Sequence, residues 1–468
     1  MTAIICALLS ALGFYFSIGL GEQWWLAWLA PIPILWYAFG NARWWQVFAA
    51  AWVAYAVGSA SILRAYAGAL PPRVLVLALA GPALIFAIAV TISSRVKQVR
   101  GAVWAMFAFA TLWAALDFLS AFNRGGGTTS TPAAAEVAVP MLMQTASLVG
   151  FVGVTFLLGV VSAGVAATLR TKERAPVIIA VAIFLANAGF GYGRMATPPS
   201  GTMRAALVES DAAMGNIRKG DKDAAMSVIS AYASQIAKLR DAHVALVVLP
   251  ENIAQLSPEW RAQAETKLTE AANEANATVV AGFNTEVDGA QRNVSLAFRP
   301  GAAMPVVYSK RRLVPVLETK FYSPGYGPEV LPNGIGLEIC KDMDFHAMLR
   351  ADEIATTPVA LAVPAWDFVQ DAWCHGRIAI MRSIENGVPM ARCARNGLLT
   401  LNDRFGRLLA CTRSKDAFQT VVGELPLHGR GGETIFNKIG DAFGWLCVIA
   451  SVGFAAFSLT KRDRAASE

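Results

Sequence analysis

The sequence predicts a polytopic α-helical membrane domain joined to an α/β layered domain. The 468-residue chain is 55% hydrophobic and only 16% charged, whereas about 25% of the residues in a soluble domain are charged. Apolar residues concentrate in residues 1–195 and again at 439–460, while the segment 202–430 has a soluble-like composition. A single soluble globular domain is therefore excluded, and a short tail, 461–468, follows the last apolar block.

Apolar blocks long enough to cross a bilayer recur through residues 1–195. A hydrocarbon core of about 30 Å requires roughly 20 helical residues, so we expect about seven helices there and one more near the C-terminus. The first two blocks are short, and one broken element is an alternative to two helices. The start of the chain lacks signal-peptide features, so we expect the first helix to be retained. The predicted spans are 3–20, 25–39, 44–63, 74–92, 102–121, 142–168, 177–193 and 439–459.

The distribution of Lys and Arg between these blocks predicts the orientation. Short cytoplasmic loops retain positive charge, and about ten basic residues fall on one side of the predicted helices against about three on the other. The protein is thus predicted in the bacterial inner membrane, with 202–430 on the periplasmic side and 461–468 in the cytoplasm. The larger set is Arg43, Arg95, Lys97, Arg100, Arg170, Lys172, Arg174, Lys461, Arg462 and Arg464, and the smaller is Arg64, Arg73 and Arg124.

Charge and cysteine usage exclude two further classes. The net charge of +7 belongs largely to these loops, and no basic run with interleaved aromatic residues indicates nucleic-acid binding. The six cysteines show no Cys-x-x-Cys spacing, so we predict neither a metal site nor a cofactor. A disulfide among Cys374, Cys393 and Cys411 stays open, because an oxidising compartment would permit one.

Residues 202–430 alternate short β-rich runs with segments of helical periodicity. This alternation is typical of an α/β layered domain. We expect helices at 219–240, 258–275 and 371–387. The predicted strands are 204–208, 244–249, 278–282, 293–298, 306–308, 336–340, 359–363 and 389–394.

Three residues whose side chains can take part in catalysis stand where predicted strands end. Glu251 follows the strand 244–249, Lys310 follows 306–308, and Cys340 closes 336–340. Lys341 comes directly after Cys340, and we expect this charged setting to lower the thiol pKa. Taken singly, each is more typical of a solvated carboxylate, a surface lysine or a buried inert thiol.

Together these residues resemble, in order and local sequence, the Glu-Lys-Cys triad of the nitrilase superfamily. Because membrane helices accompany the triad, the chain is similar to the apolipoprotein N-acyltransferase family, the membrane branch of that superfamily. The resemblance implies a nitrilase-like αββα sandwich for 202–430. It rests on Leu249-Pro250-Glu251-Asn252, Tyr308-Ser309-Lys310-Arg311-Arg312-Leu313-Val314-Pro315 and Glu338-Ile339-Cys340-Lys341-Asp342, and it continues in 24–33, 150–157, 381–389 and 395–397.

The resemblance also implies roles for these residues. Cys340 would be the nucleophile, Glu251 the general base, and Lys310 the cation that stabilises the tetrahedral oxyanion. Glu318 and Asp342 would support them. The implied acyl donor is a membrane phospholipid, the implied acceptor is the α-amine of an S-diacylglyceryl-cysteine lipoprotein, and a monomer is expected.

Departures from the family pattern leave the acceptor open. Lys341 and Asp342 replace a Tyr-Glu pair after the cysteine, Pro315-Val316-Leu317-Glu318 replaces Pro-Phe-Gly-Glu, and the loop 364–368 is altered. The alternatives are an N-acyltransferase for a different amine, a membrane-anchored amidase or other C-N hydrolase, and a catalytically silent scaffold. A Cys-His protease that uses His375 is a further alternative.

Overall fold

The computed structural model describes residues 1–123, 125–215 and 221–459. The predicted tail 461–468 and Arg124, both used above for the orientation, lie outside the described residues. The chain divides into two compact units. We call residues 1–196 together with the segment from Ile439 the membrane unit, and Thr197–Lys438 the α/β unit.

Among the described residues of the membrane unit, six helices of 18 to 29 residues are apolar and long enough to cross a bilayer. They define a multi-pass membrane protein. The six are Trp44–Tyr66, Pro72–Arg100, Ala102–Ser120, Phe151–Thr171, Ala175–Met195 and Ala442–Leu459. The remaining helices and 3₁₀ helices of this unit are Thr2–Ser17, Leu26–Leu29, Pro31–Ala38, Pro132–Ala138, Pro140–Met143 and Ala146–Val149, and Trp44–Tyr66 contains a 3₁₀ turn at Ser59–Ile62.

Two predicted membrane segments differ from the structure. The first two blocks form short helices, Thr2–Ser17 and Leu26–Ala38, which are apolar but shorter than a full crossing. The prediction of one helix over 142–168 is wrong. Gly150 has a φ of +72°, a left-handed conformation that glycine adopts without cost, so the long helix begins only at Phe151.

Buried carboxylates brace the connection before Phe151–Thr171. Thr131 and Thr155 each donate a hydroxyl hydrogen bond of 2.7 Å to Asp117, and the Trp28 indole donates one of 2.7 Å to Glu136. Polar groups within a membrane domain need such internal partners because hydrocarbon offers none. The hydrogen bonds thus tie the short helices to the long ones.

Two β-sheets form the centre of the α/β unit. The seven-stranded sheet has the order β13-β1-β2-β4-β5-β6 with β3 beside β4, and the six-stranded sheet has the order β12-β11-β10-β9-β8-β7. The strands are β1 (Gly201–Glu209), β2 (Leu246–Val248), β3 (Ala254–Leu256), β4 (Thr278–Val287), β5 (Ala290–Phe298), β6 (Val306–Ser309), β7 (Glu329–Val330), β8 (Ile335–Leu337), β9 (Ala360–Trp366), β10 (Met390–Arg395), β11 (Leu398–Asn402), β12 (Leu408–Arg413) and β13 (Gln419–Leu427). The helices are Lys222–Ala237, Pro258–Ala275, His346–Thr356, Ala372–Asn386 and Ile435–Ile439, with 3₁₀ turns at Arg240–Ala242 and Cys340–Asp344.

Alternation along the strands explains the layers. Successive side chains of a strand point to opposite faces. In β1, Leu207 belongs to the core between the two sheets, whereas Val208 packs with the helices Lys222–Ala237 and Pro258–Ala275 on the outer face. Because both faces are covered at the centre of the sheet, a central strand such as β2 is apolar throughout. The predicted αββα sandwich is therefore confirmed.

The topology brings the predicted site residues to one end of the strands. β1, β2 and β4 are mutually parallel, and β6 returns to the same direction because β5 is antiparallel to both β4 and β6. Glu251 therefore follows the carboxyl end of β2 and Lys310 follows that of β6. Both residues lie at the same end of the strands of the seven-stranded sheet. Cys340 follows β8, whose neighbour β9 is parallel to it.

All six cysteines lie within the described residues and all are free thiols. The disulfide that the sequence left open among Cys374, Cys393 and Cys411 is thus not formed. Cys374 and Cys393 are buried, whereas Cys411 is exposed.

Candidate active site

Glu251 and Lys310 form a buried ion pair at the carboxyl ends of β2 and β6. The Lys310 ammonium lies 2.7 Å from Glu251 Oε1 and 2.9 Å from Glu318 Oε1. The Asn293 side-chain amide donates to the same two oxygens, at 2.6 and 2.9 Å. Only 2% of Glu251 and 1% of Lys310 are exposed. One cation thus holds two carboxylates, and the asparagine fixes both.

Cys340 stands at a sharp turn between β8 and the 3₁₀ turn Cys340–Asp344. Its φ is +40°, in the left-handed region that costs a non-glycine residue about 1–3 kcal/mol and that is concentrated at functional sites. Its Sγ lies 3.6 Å from the carbonyl oxygen of Trp366, the last residue of β9. The side chain is half-buried. A strand-to-helix turn of this kind presents a nucleophile at the edge of a sheet.

The three groups interact electrostatically. Burial raises the pKa of Glu251, although the Lys310 ammonium opposes this effect. Burial alone lowers the pKa of Lys310, but Glu251 and Glu318 outweigh it, so the pKa lies well above the ordinary lysine value. Lys310 is therefore a fixed cation beside a carboxylate of increased basicity.

The expectation that the charged setting lowers the thiol pKa is wrong. Burial, reinforced by Glu251, raises the pKa of Cys340 well above the ordinary value, and Lys310 opposes this only in part. The two nearby lysines are already committed, because Lys310 pairs with its two carboxylates and Lys341 lies 2.6 Å from Asp344. The resting group is therefore the protonated thiol.

Asp342 connects the loop that follows β6 to the turn that carries Cys340. Its Oδ1 accepts the backbone N–H groups of Arg311 and Arg312, at 3.2 and 2.8 Å. Its Oδ2 accepts the Ile339 N–H at 3.2 Å and the Tyr308 hydroxyl at 2.8 Å. The carboxylate thus binds the neighbours of Lys310 and of Cys340, and its supporting role is to set the distance between the two loops.

Asp342→Asn should weaken this connection. One carboxylate oxygen becomes an amide donor, which cannot accept the Ile339 N–H, so the free energy of unfolding should fall by about 1–3 kcal/mol. A thermal unfolding scan measures this loss. Asp241→Asn, at an exposed position, is the control and should leave the transition unchanged. Equal stability of the two variants would contradict the connecting role.

Further buried charges support the same loop, and the motifs did not identify them. The Arg311 guanidinium binds Asp352 and, at 3.1 Å, Glu338, while the Tyr308 hydroxyl oxygen also lies 2.9 Å from Glu338 Oε2. Asp342 accepts the backbone N–H groups of Arg311 and Arg312. The ion pairs of the Arg311 side chain therefore fix the same backbone, which directly follows Lys310. Asn293 was equally missed, although a polar residue at the start of a predicted buried strand was a signal.

His375 does not form a dyad with Cys340. Its Nε2 lies 3.1 Å from Asp371 Oδ2, and the hydrogen bond of Cys340 goes to the Trp366 carbonyl. Burial lowers the His375 pKa, but Asp371 outweighs it and raises the pKa to about 9. Because His375 pairs with Asp371 and the Cys340 thiol with the Trp366 carbonyl, the geometry disfavours the Cys-His protease.

The backbone has an unusual conformation at Val316, within the altered stretch Pro315-Val316-Leu317-Glu318. Val316 has a φ of +70°, which is strained for a β-branched residue. Glu318 Oε2 accepts the Val314 N–H at 2.6 Å across this bend, so the strained turn positions Glu318 for its contact with Lys310.

Val316→Gly should relieve this strain and raise the free energy of unfolding by about 1 kcal/mol. This figure is the usual energetic cost of a left-handed non-glycine residue, reduced by the extra conformational entropy that glycine gives to the unfolded chain. Thermal unfolding is again the measurement. Leu317→Gly is the matched control, because its backbone is not left-handed, and it should lower stability. Loss of stability in both variants to the same extent would contradict strain at Val316.

Comparisons with known proteins show which family and which relatives the chain resembles. Residues 204–420 match the carbon-nitrogen hydrolase family. The apolipoprotein N-acyltransferase of Geobacter metallireducens is 25% identical, over 76% of this chain and 75% of that protein, and that of Caulobacter vibrioides is 25% identical, over 94% and 87%. An amidase from Nesterenkonia sp. aligns with a TM-score of 0.40 at 20% identity, over 48% of this chain and 90% of the amidase.

The fold and the family match together define a carbon-nitrogen hydrolase domain attached to membrane helices. Residues 204–420 thus match the carbon-nitrogen hydrolase family, and the chain is similar to apolipoprotein N-acyltransferases over most of its length, so the resemblance predicted from its motifs is confirmed. Its general activity is that of an acyltransferase.

Proposed function

We propose that the protein transfers an acyl chain from a membrane phospholipid, through a thioester on Cys340, to the α-amine of an S-diacylglyceryl-cysteine at the start of an apolipoprotein. The observation that carries the proposal is the buried Glu251–Lys310 pair beside a half-buried cysteine at a strained turn. The N-acyltransferase relatives support the choice of acceptor. The apolar helices suit substrates whose chains stay in the bilayer.

In the first half-reaction Glu251 removes the thiol proton while the sulfur of Cys340 attacks the ester carbonyl. The resulting oxyanion faces the fixed charge of Lys310, a preorganised interaction that contributes several kcal/mol. The C–O bond of the ester then breaks, and the protonated Glu251 returns its proton to the leaving alkoxide. The products are a lysophospholipid and an acyl-Cys340 thioester.

In the second half-reaction the neutral α-amine attacks the thioester carbonyl. Lys310 again stabilises the oxyanion, and Glu251 accepts a proton from the attacking nitrogen. The C–S bond breaks, an amide forms, and the proton passes from Glu251 to the sulfur of Cys340. The resting thiol is regenerated, which agrees with a pKa raised by burial.

A hydrolase is the second candidate, and one observation favours it. The carbon-nitrogen hydrolase match covers the whole triad region, and the same residues would serve if water replaced the amine. The products then differ, because hydrolysis releases a free fatty acid or cleaves an amide, whereas transfer forms a new amide.

We further propose that the α/β unit lies on the periplasmic side of the bacterial inner membrane. The excess of basic residues in one set of loops supports this orientation. A reporter that is active only in the cytoplasm, fused after Lys461, should be active. Activity of a periplasmic reporter at that position would overturn the orientation.

Product analysis tests the transfer reaction. The purified full-length protein is incubated with phosphatidylethanolamine and a peptide that begins with S-diacylglyceryl-cysteine. We expect mass spectrometry to detect the N-acylated peptide and lysophospholipid in equal amounts. Free fatty acid without acylated peptide would favour the hydrolase, and the absence of both products would overturn acyl transfer.

A further inference from the structure

Four basic side chains, Lys310 included, lie within two residues of Lys310 or Cys340 in the sequence, and three of them have carboxylate partners. Lys310, Arg311 and Lys341 each form ion pairs of this kind. For the fourth, Arg312, no carboxylate partner is found in the part of the chain that the structure describes. Arg312 therefore carries the one uncompensated positive charge among these four.

An aromatic ring and the loop backbone hold Arg312 in place. Its guanidinium carbon lies 4.6 Å from the centroid of the Phe345 ring, a favourable cation–π distance. Its backbone N–H donates to Asp342 at 2.8 Å. The Lys341 ammonium lies 6.0 Å from the same ring, but Asp344 compensates its charge. Arg312 is thus ordered without being neutralised.

Arg312 also keeps hydrogen-bonding capacity. Its Nε is buried and has no hydrogen-bond partner among the described residues, while the side chain as a whole is half-buried. A guanidinium is planar and presents donors in a fork that matches two oxygens of a phosphate. Since Asp342 ties this backbone to the Cys340 turn, an anion bound by Arg312 would lie on the loops of the nucleophile.

We propose that Arg312, held against Phe345, binds the phosphodiester group of the phospholipid that donates the acyl chain. This inference rests on the proposed function. In a glycerophospholipid the reacting ester and the phosphate are attached to the same three-carbon glycerol, so one contact on the phosphate positions the ester. Arg312 is a specificity-determining residue for the donor and takes no part in bond making.

Two acyl donors test the inference. The full-length protein is assayed for acyl-Cys340 formation with phosphatidylethanolamine in mixed micelles and with a p-nitrophenyl acyl ester, which has no phosphate. For Arg312→Gln, the KM for the phospholipid should rise about tenfold or more, the usual loss for a charge-assisted hydrogen bond. The kcat, and both constants with the p-nitrophenyl ester, should stay within about twofold.

Two variants complete the design. Arg312→Lys keeps the charge but loses the fork, so its KM for the phospholipid should lie between those of the wild type and of Arg312→Gln. Lys320→Gln removes one charge from an exposed position of the same loop and should leave both donors unaffected. An equal effect of Lys320→Gln and Arg312→Gln would reduce the role of Arg312 to general electrostatics and overturn the inference.

Inorganic phosphate separates the lipid headgroup from a free anion. It should compete with the phospholipid in the wild type and have no effect on the p-nitrophenyl ester reaction. Equal inhibition with both donors would assign Arg312 to free phosphate. An unchanged KM in Arg312→Gln, with Cys340 still acylated, overturns only this inference, whereas no acylation of wild-type Cys340 by either donor overturns the proposed function.

Discussion

Cys340→Ala is expected to reduce acyl transfer by about 10⁴-fold or more, because a group that forms the covalent intermediate has no substitute in the site. In the proposed mechanism the half-buried thiol carries the reacting sulfur, and Glu251 and Lys310 act only on the bonds that this sulfur makes and breaks. The measurement is the initial rate of peptide N-acylation with phosphatidylethanolamine as donor. The fold should persist, since alanine leaves the ion pair intact.

Cys411→Ala is the matched control for this variant. Cys411 is an exposed free thiol in the same unit, so its reactivity towards added reagents should exceed that of Cys340. We expect its replacement to leave the rate within about twofold of the wild type. A large loss in Cys411→Ala, or a rate in Cys340→Ala within tenfold of the wild type, would contradict the assignment of the nucleophile.

Glu251→Gln is expected to lower kcat/KM by about 10²–10⁴-fold, the usual contribution of a general base. It should also change the pH profile. Because the pKa of Glu251 is raised above its ordinary value of 4.5, its base form is lost as the pH falls through that higher pKa. The wild-type rate should therefore decline on the acid side from a pH above 4.5. The variant should lack this decline.

Lys310 should contribute no alkaline decline to the same profile. Its pKa lies well above 10.5, so it stays positive at neutral and moderately alkaline pH, and no loss of rate there should come from its deprotonation. Glu318→Gln is the control, since Glu318 also contacts Lys310 but is not the base. It should reduce the rate less and retain the acid decline. Loss of that decline in Glu318→Gln alone would transfer the role of base to Glu318.

Much of the fold followed from local pattern. Most of the buried strands were predicted because strands covered on both faces are apolar runs. The short strands β3 and β7, the buried strand β11, the strands β12 and β13, and the helix His346–Thr356 were not predicted. β12 and β13 alternate between more and less exposed positions, and such weak alternation cannot be separated from a loop without knowing which face meets the core.

The candidate site likewise contains residues that were predicted from the sequence and residues whose contacts were not. Glu251, Lys310 and Cys340 each follow or close a predicted strand, but they were predicted as a site because their order and local sequence together resemble the triad of the nitrilase superfamily. Asn293 and Asp342 depend on strand register and on the approach of two distant loops, which a local pattern does not specify. The resemblance implied a supporting role for Asp342, but its contacts with both loops, and the part of Asn293, required the structure.

The wrong expectation for the thiol pKa has an equally physical cause. Burial disfavours the charged thiolate and Glu251 adds to this effect, so the pKa of Cys340 rises although Lys310 opposes the rise in part. Lys341 is adjacent in sequence, but its ammonium lies 2.6 Å from Asp344. Sequence proximity therefore gave the right residues and the wrong sign of the effect.

The central claim is that an acyl chain passes through Cys340 on its way to an amine. Its most direct test is to incubate the wild-type protein with phosphatidylethanolamine alone, digest it, and measure the mass of the peptide that contains Cys340. We predict an acyl adduct on Cys340 that disappears when the S-diacylglyceryl-cysteine peptide is added, with the acyl chain recovered as an amide on that peptide. N-acylated peptide formed without any adduct on Cys340, or an adduct released only as free fatty acid, would contradict the claim.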